Sequence, residues 1–215
     1  MSERSGTLAI DTASPAGAVA VARGDRVFEE ILPHERRASE ELLNAAARCL
    51  ERADLTLAGV ARIAVCAGPG SFTGIRVGLA AAWGLSRACG IPVETASTLE
   101  AMAEAARGLG ADPIWTALDA GRGEVVCQAF ALGGPRAEAC GESVRIPRNR
   151  LPETARGGLV LTLPRELGDP ASPILLRTPA HALALAAANA PRAETSVFAP
   201  IYSRPSAAEE LRGPA

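Results

Sequence analysis

The 215-residue sequence predicts an α/β protein built from two related lobes, and three observations carry that prediction. The segment "LAIDTASPAGAVAVA", Leu8 to Ala22, reads as a strand ending in aspartate, a turn and a return strand. The same outline returns as "TALDAGRGEVVCQAFA", Thr116 to Ala131, which places Asp11 and Asp119 in matching positions half a chain apart and argues for duplication. Between the two units, helical and strand-like periodicities alternate.

In order, "TLAID", "GAVAVA" and "DRVFEEIL" form a three-stranded meander with turn chemistry at "TASPAG" and "RGD". The stretch from His34 to Leu55 carries Leu42, Leu43, Ala46, Leu50 and Ala53 at helical spacing, with charges on the other face. "VARIAVCAG" reads as a buried strand, and "TGIRVGLAAAWGLSRACG" as a helix closed by Gly90 and Pro92. "STLEAMAEAARGLG" is a third helix capped by Ser97. Beyond residue 133 the chain breaks into pieces punctuated by proline and glycine, with short apolar runs at "GLVLTLP" and "PILLRTP", a helix in "PAHALALAAANA", and a tail from Ala199. The predicted division is a first lobe over 1–109 and a smaller second lobe over 110–215 with a flexible end.

Composition removes several kinds of function. A formal net charge of −2 gives no basic field to track a phosphate backbone, so any contact with nucleic acid is expected to be indirect. All 22 basic residues are arginine, which excludes Schiff-base and P-loop lysines. The five cysteines are scattered and odd in number, as in a reduced cytosolic protein. The start lacks a leader pattern, and the apolar run "VGLAAAWGL" falls short of the roughly 20 residues a bilayer needs; a soluble, cytoplasmic protein is expected. His34 and His181 are the only histidines, too few and too far apart for a metal cluster, and no cofactor is expected.

The loop "CAGPGSFTGIRVG", Cys66 to Gly78, invites a phosphate-binding interpretation that its spacing does not meet. A Walker loop needs a lysine, and a dinucleotide loop needs its third glycine one place earlier than Gly74. A looser anion site on the amides at the helix start stays open. Against it stands a packing role: Gly74, Gly78, Ala81 or Ala82, and Leu85 share one stripe, small enough for another helix to approach closely. The helix is apolar round most of its circumference, so that stripe, with part of the preceding helix, is expected to bind a partner. Replacing Gly78 by arginine should then block the partner and spare the fold. Asp11 and the hairpin after it have the outline of an actin-like phosphotransferase site, the alternative being an aspartate that caps its own turn. Ser71 has no histidine placed to serve it, and Arg145, Arg148 and Arg150 read as a solvated face.

Together, "LAIDTA", "AGPGSFTGIRVGLAAAWGL", "STLEAMA", "LDAGRGEVV" and the terminal "PIYSRP" resemble the TsaB (YeaZ) family of bacterial proteins required for threonylcarbamoyladenosine synthesis on tRNA, closely from about residue 7 to 132 and loosely beyond, except at the end. The resemblance implies a duplicated actin-like (ASKHA) fold, each lobe a mixed sheet flanked by helices and the second lobe reduced. It implies a non-catalytic scaffold that pairs with the transferase TsaD through the two long helices and receives the ATPase TsaE on that pair; an exposed small-residue helix face could also pair with its own copy when the partner is scarce, which leaves homodimer and monomer both open. The modified adenosine would lie beside the anticodon of tRNAs that read codons starting with A. The contact residues it implies are Leu42, Leu43, Ala46, Gly70, Ser71, Phe72, Thr73, Gly74, Arg76, Gly78, Ala81, Ala82 and Leu85. The late Gly157–Gly158 pair lies ahead of "LVLT" and does not follow a strand as an adenosine clasp would.

Overall fold

A computed structural model describes residues 4–15, 17–33, 38–156, 158–163, 178–195 and 199–202. His34, Gly157, most of "PILLRTP" and the tail from residue 203 therefore lie outside the described residues.

Strands β1 (Gly6–Asp11), β2 (Ala18–Arg23), β3 (Arg26–Ile31), β4 (Val60–Cys66) and β5 (Val93–Ala96) make one sheet in the order β3-β2-β1-β4-β5. The meander is antiparallel, and β4 and β5 join it in parallel. In the second sheet β6 (Ile114–Gly121) pairs antiparallel with β7 (Glu124–Ala131). The far edge of β7 is shared by β8 (Glu138–Ala139) and β9 (Val144–Pro147), while β10 (Val160–Leu161) lies parallel to β6 on its other side. A central strand, an antiparallel return strand and a parallel neighbour recur in both sheets, with β8 and β9 as a broken version of β3. This is the duplicated actin-like arrangement, the second copy having shorter edges among the described residues.

The helices follow from local chemistry. Helix α1 (Ala38–Arg52) carries Glu40 and Glu41 in its first turn and Arg52 in its last, favourable to its dipole, and buries Leu42, Ala45, Ala46, Cys49 and Leu50. Helix α2 (Phe72–Cys89) is capped by Ser71, whose Oγ accepts the Gly74 amide at 3.2 Å, and ends at Gly90 in the left-handed conformation. Helix α3 (Thr98–Ala105) starts at Ser97 as expected but stops short of residue 110 in a series of turns. A short α4 (Leu151–Thr154) precedes β10. Helix α5 (Pro179–Asn189) opens with proline at its first position after the Thr178 cap. Strand β5, unmarked by alternation, is an addition to the sequence expectation.

Helix α5 crosses to the first sheet, where Ala180, Leu183, Ala184 and Ala187 join the core beneath β1 and β2. In return α3 sends Leu99, Met102 and Ala103 into the second core with Ile114, Leu118 and Phe130. Strands β1–β5 thus form one sheet and β6–β10 the other, while α3 and α5 each pack on the sheet of the other set. Covered on both faces, β2 is buried along its first five residues and consists there of Ala and Val alone.

An ion network seals the junction. Arg136, 6 % exposed, sits 2.9 Å from Glu94 of β5 and 3.1 Å from Glu100 of α3, with Glu104 at 3.8 Å. Arg192, beyond α5, bonds Glu100 at 2.8 Å through its side chain and Glu94 at 2.8 Å through its amide. Three buried carboxylates are stable there because each is ion-paired and hydrogen-bonded.

Candidate partner-binding surface and glycine loop

The glycine loop closes on its own chain. The Ala13 carbonyl accepts the Ser71 amide at 2.8 Å and stands where a Cβ on Gly70 would have to be. The Thr12 carbonyl occupies the same place for Gly74, and Thr12 Oγ1 would lie 2.5 Å from a Cβ on Gly78. That hydroxyl donates to the Gly74 carbonyl at 2.6 Å. On the other side, Gly68 at φ +103° lets the Ile201 carbonyl approach, while the Ile201 amide bonds Ala67 O at 2.7 Å. Of the amides at the helix start, those of Ser71 and Gly74 already have acceptors within the chain.

Asp11, at the end of β1, is fully buried. Its Oδ1 accepts the amides of Ala13 at 2.9 Å and Ser14 at 3.1 Å, and the Ser14 hydroxyl donates to Oδ2. Burial pushes its carboxyl above the ordinary value of 3.8, against the opposing pull of those hydrogen bonds. Of the two roles open to it in the sequence, the geometry is that of an aspartate capping its own turn. Asp119 repeats the motif on β6, accepting the Gly121 amide at 3.0 Å, but it is exposed and paired with Arg148 at 3.1 Å. Among the described residues no group of three His, Cys, Asp or Glu side chains is arranged to hold a metal ion.

Several expected contact residues are corrected by this packing. Leu42, Ala46, Gly78 and Ala82 are buried inside the chain, so none of these four presents a surface to a partner, and the half-buried Gly74 is packed against the Thr12 carbonyl. Ala81 and Leu85 are half-buried against the first core. Arginine at residue 78 would strike Thr12 and the sheet, so that change tests the fold and not a partner. Leu43, Gly70, Thr73 and Arg76 are exposed, with Ser71 and Phe72 half-buried beside them.

The large apolar residues Ile75 and Leu79, one turn apart, set the phase of α2 by facing the sheet, and Gly78 and Ala82 follow them inward. The outward face then carries Thr73, Arg76, Ala80, Trp83, Gly84, Arg87 and Ala88. A second small-residue stripe, Ala80–Gly84–Ala88, lies there in the open, and a Cβ on Gly84 would meet no atom within 4 Å. Trp83 is 54 % exposed, as is Leu43 of α1 at 56 %. Trp83 also walls a groove of about 410 Å³ that runs past Arg87 to Glu194 and Thr195. The spacing of Ile75 and Leu79 against Arg76 and Arg87 is the signal in the sequence for which stripe of α2 faces outward.

The N-terminal end of this face is finished by a distant segment. The Tyr202 ring stacks on Phe72 with centroids 4.7 Å apart, and Arg76 lies 3.9 Å above the Phe72 ring with its Nε donating to the Tyr202 hydroxyl at 3.1 Å.

The family described as "TsaD: tRNA N6-adenosine threonylcarbamoyltransferase" matches residues 31–189, most of the chain. The chain belongs to this family, as one of its TsaB/YeaZ members. It is 37 % identical over 121 residues to the tRNA threonylcarbamoyladenosine biosynthesis protein TsaB of Escherichia coli, covering 55 % of this chain and 52 % of that protein. An uncharacterized Mycobacterium tuberculosis protein is 38 % identical over 102 residues, 44 % of this chain and 46 % of that one. The chain spans about half the length of the curated relatives it matches. The structure of YeaZ from Pseudomonas aeruginosa superposes with a TM-score of 0.75 at 26 % identity, covering 92 % of this chain and 99 % of that one. No helix among the described residues is long and apolar enough to cross a membrane.

Proposed function

We propose that this TsaB/YeaZ member is a non-catalytic scaffold in tRNA threonylcarbamoyladenosine synthesis, pairing with the transferase TsaD through the outward faces of α1 and α2 and receiving the ATPase TsaE on that pair. The observation that carries it is the outer face of α2, where Ala80, Gly84 and Ala88 leave a shallow track beside the exposed Trp83. Small side chains allow a second helix to come close, and an exposed tryptophan is the kind of anchor that dominates binding energy. The named role of the curated relatives supplies the pathway. In this reading the protein works in the cytoplasm, meets tRNA only through its partner, and uses the same face to self-associate when the partner is scarce.

The alternative, an actin-like ATPase or kinase using Asp11, fits less well, because both oxygens of that carboxylate are buried and engaged with the turn. Gel filtration with purified transferase tests the scaffold. Arginine in place of Gly84 has room in the monomer and should abolish the complex without lowering the melting temperature. Co-elution of that variant with the transferase, as for the unaltered chain, refutes the proposed face.

A further inference from the structure

Helix α2 has only two charged residues, Arg76 and Arg87, and both are basic and on the outer face. Exposed Arg48, Arg52 and Arg150 each sit against a carboxylate of their own chain, whereas exposed Arg4 bonds two carbonyls and Arg26 lies over the Phe28 ring. Arg76 has no carboxylate within ion-pair distance among the described residues. Its contacts are the Phe72 ring and the Tyr202 hydroxyl, which engage the face of the guanidinium and its Nε. The two terminal nitrogens, the pair that grips a carboxylate through parallel hydrogen bonds, have no hydrogen-bond partner among the described residues.

Its two contacts also orient the side chain. Phe72 and Tyr202 stack on each other, and Tyr202 is anchored through the neighbouring Ile201 amide on Ala67 O at 2.7 Å. A guanidinium oriented before binding loses less side-chain entropy when it is engaged.

We infer that Arg76, aimed by Phe72 and Tyr202, is the docking point for a carboxylate on the partner protein. The inference rests on the pairing proposed above and adds the chemistry of the surface that α2 fits. Complementarity asks for an acidic side chain opposite Arg76 and a second opposite Arg87, roughly 16 Å further along at 1.5 Å per residue, with small or apolar residues between them. Tyr202 is a positioning residue in this scheme, acting through Arg76.

Calorimetric titration of the full chain with the transferase of its own organism, at about 50 and about 300 mM salt, tests it. Arg76→Gln should weaken binding about tenfold at low salt and flatten the salt dependence, whereas Arg76→Lys, which keeps the charge but cannot form the paired bonds, should weaken binding and keep the salt dependence. Trp83→Ala should weaken binding and leave the salt dependence intact. Tyr202→Phe keeps the stack but loses the acceptor, and should cost about threefold alone and nothing further when combined with Arg76→Gln. Melting curves confirm that each variant folds. Should Arg76→Gln bind like the unaltered chain with full salt dependence while Trp83→Ala binds weakly, the carboxylate contact is wrong and the pairing survives. Absence of any binding by the unaltered chain overturns both, and an effect of Arg76→Gln on self-association alone assigns the patch to a second copy and overturns the inference.

Discussion

Thr12 and Gly78 share one space: the Thr12 hydroxyl, bonded to the Gly74 carbonyl at 2.6 Å, stands 2.5 Å from the position a β-carbon on residue 78 would take. Gly78→Ala should therefore cost about 1–3 kcal/mol of stability, the usual price of overpacking. Removing the obstructing oxygen with Thr12→Ala in the same molecule should recover part of that loss. Urea unfolding of the two single variants and the double variant measures the coupling; strictly additive losses would mean that the groups do not meet.

Asp11→Asn should fold well, because its Oδ1 still accepts the Ala13 and Ser14 amides and its amide group can donate to the Ser14 hydroxyl. Asp11→Ala strands those amides and should cost about 1–3 kcal/mol. With its folded carboxyl held above 3.8, the native protein keeps a proton that the unfolded chain releases. Its contribution is complete below 3.8 and declines as pH rises through the higher folded value. Denaturation from pH 4 to 7 should show that decline in the unaltered protein and a flatter profile in Asp11→Asn.

Arg136→Met leaves three buried carboxylates without their central cation, and a loss of about 3–5 kcal/mol is expected. Arg150→Met, which breaks only the exposed pair with Glu153, should fall within about 0.5 kcal/mol of the parent. Equal unfolding midpoints for the two variants would deny the network its structural role.

The thiols should divide by burial. Burial pushes Cys49 and Cys127 up to about 11 and Cys66 further above its ordinary value, while Cys140 is exposed and Cys89 partly so. Alkylation at pH 8 followed by peptide mass mapping should label Cys140 first and Cys89 next, with the other three modified only after denaturant is added.

The strand–aspartate–turn repeat, the meander, the Ser97 and Gly90 caps and the long helices were all legible, because each depends on neighbours within a few residues. The orientation of the glycine stripe was not. It depends on Thr12 and Ala13, some sixty residues upstream, pressing into the loop, and the spacing of the glycines is the same whichever side they face. Strand β5 has no local signature because Glu94 is buried in it, a placement made stable by Arg136 from beyond the second sheet's hairpin together with Arg62 and the Arg192 amide. The Tyr202 contact with Arg76 joins positions 126 apart and has no local signature. On α2, Gly78 and Ala82, expected to face outward, are buried against the sheet, and Ala80, Trp83 and Gly84 are exposed in their place.

The exchange of helices between the lobes has a bearing on biosynthesis. The strands of the first sheet leave the ribosome long before Pro179–Asn189, which is to cover their lower face. A nascent chain must carry that alanine- and valine-lined face unprotected through most of translation, and the first lobe can reach its final form only after the second has been made.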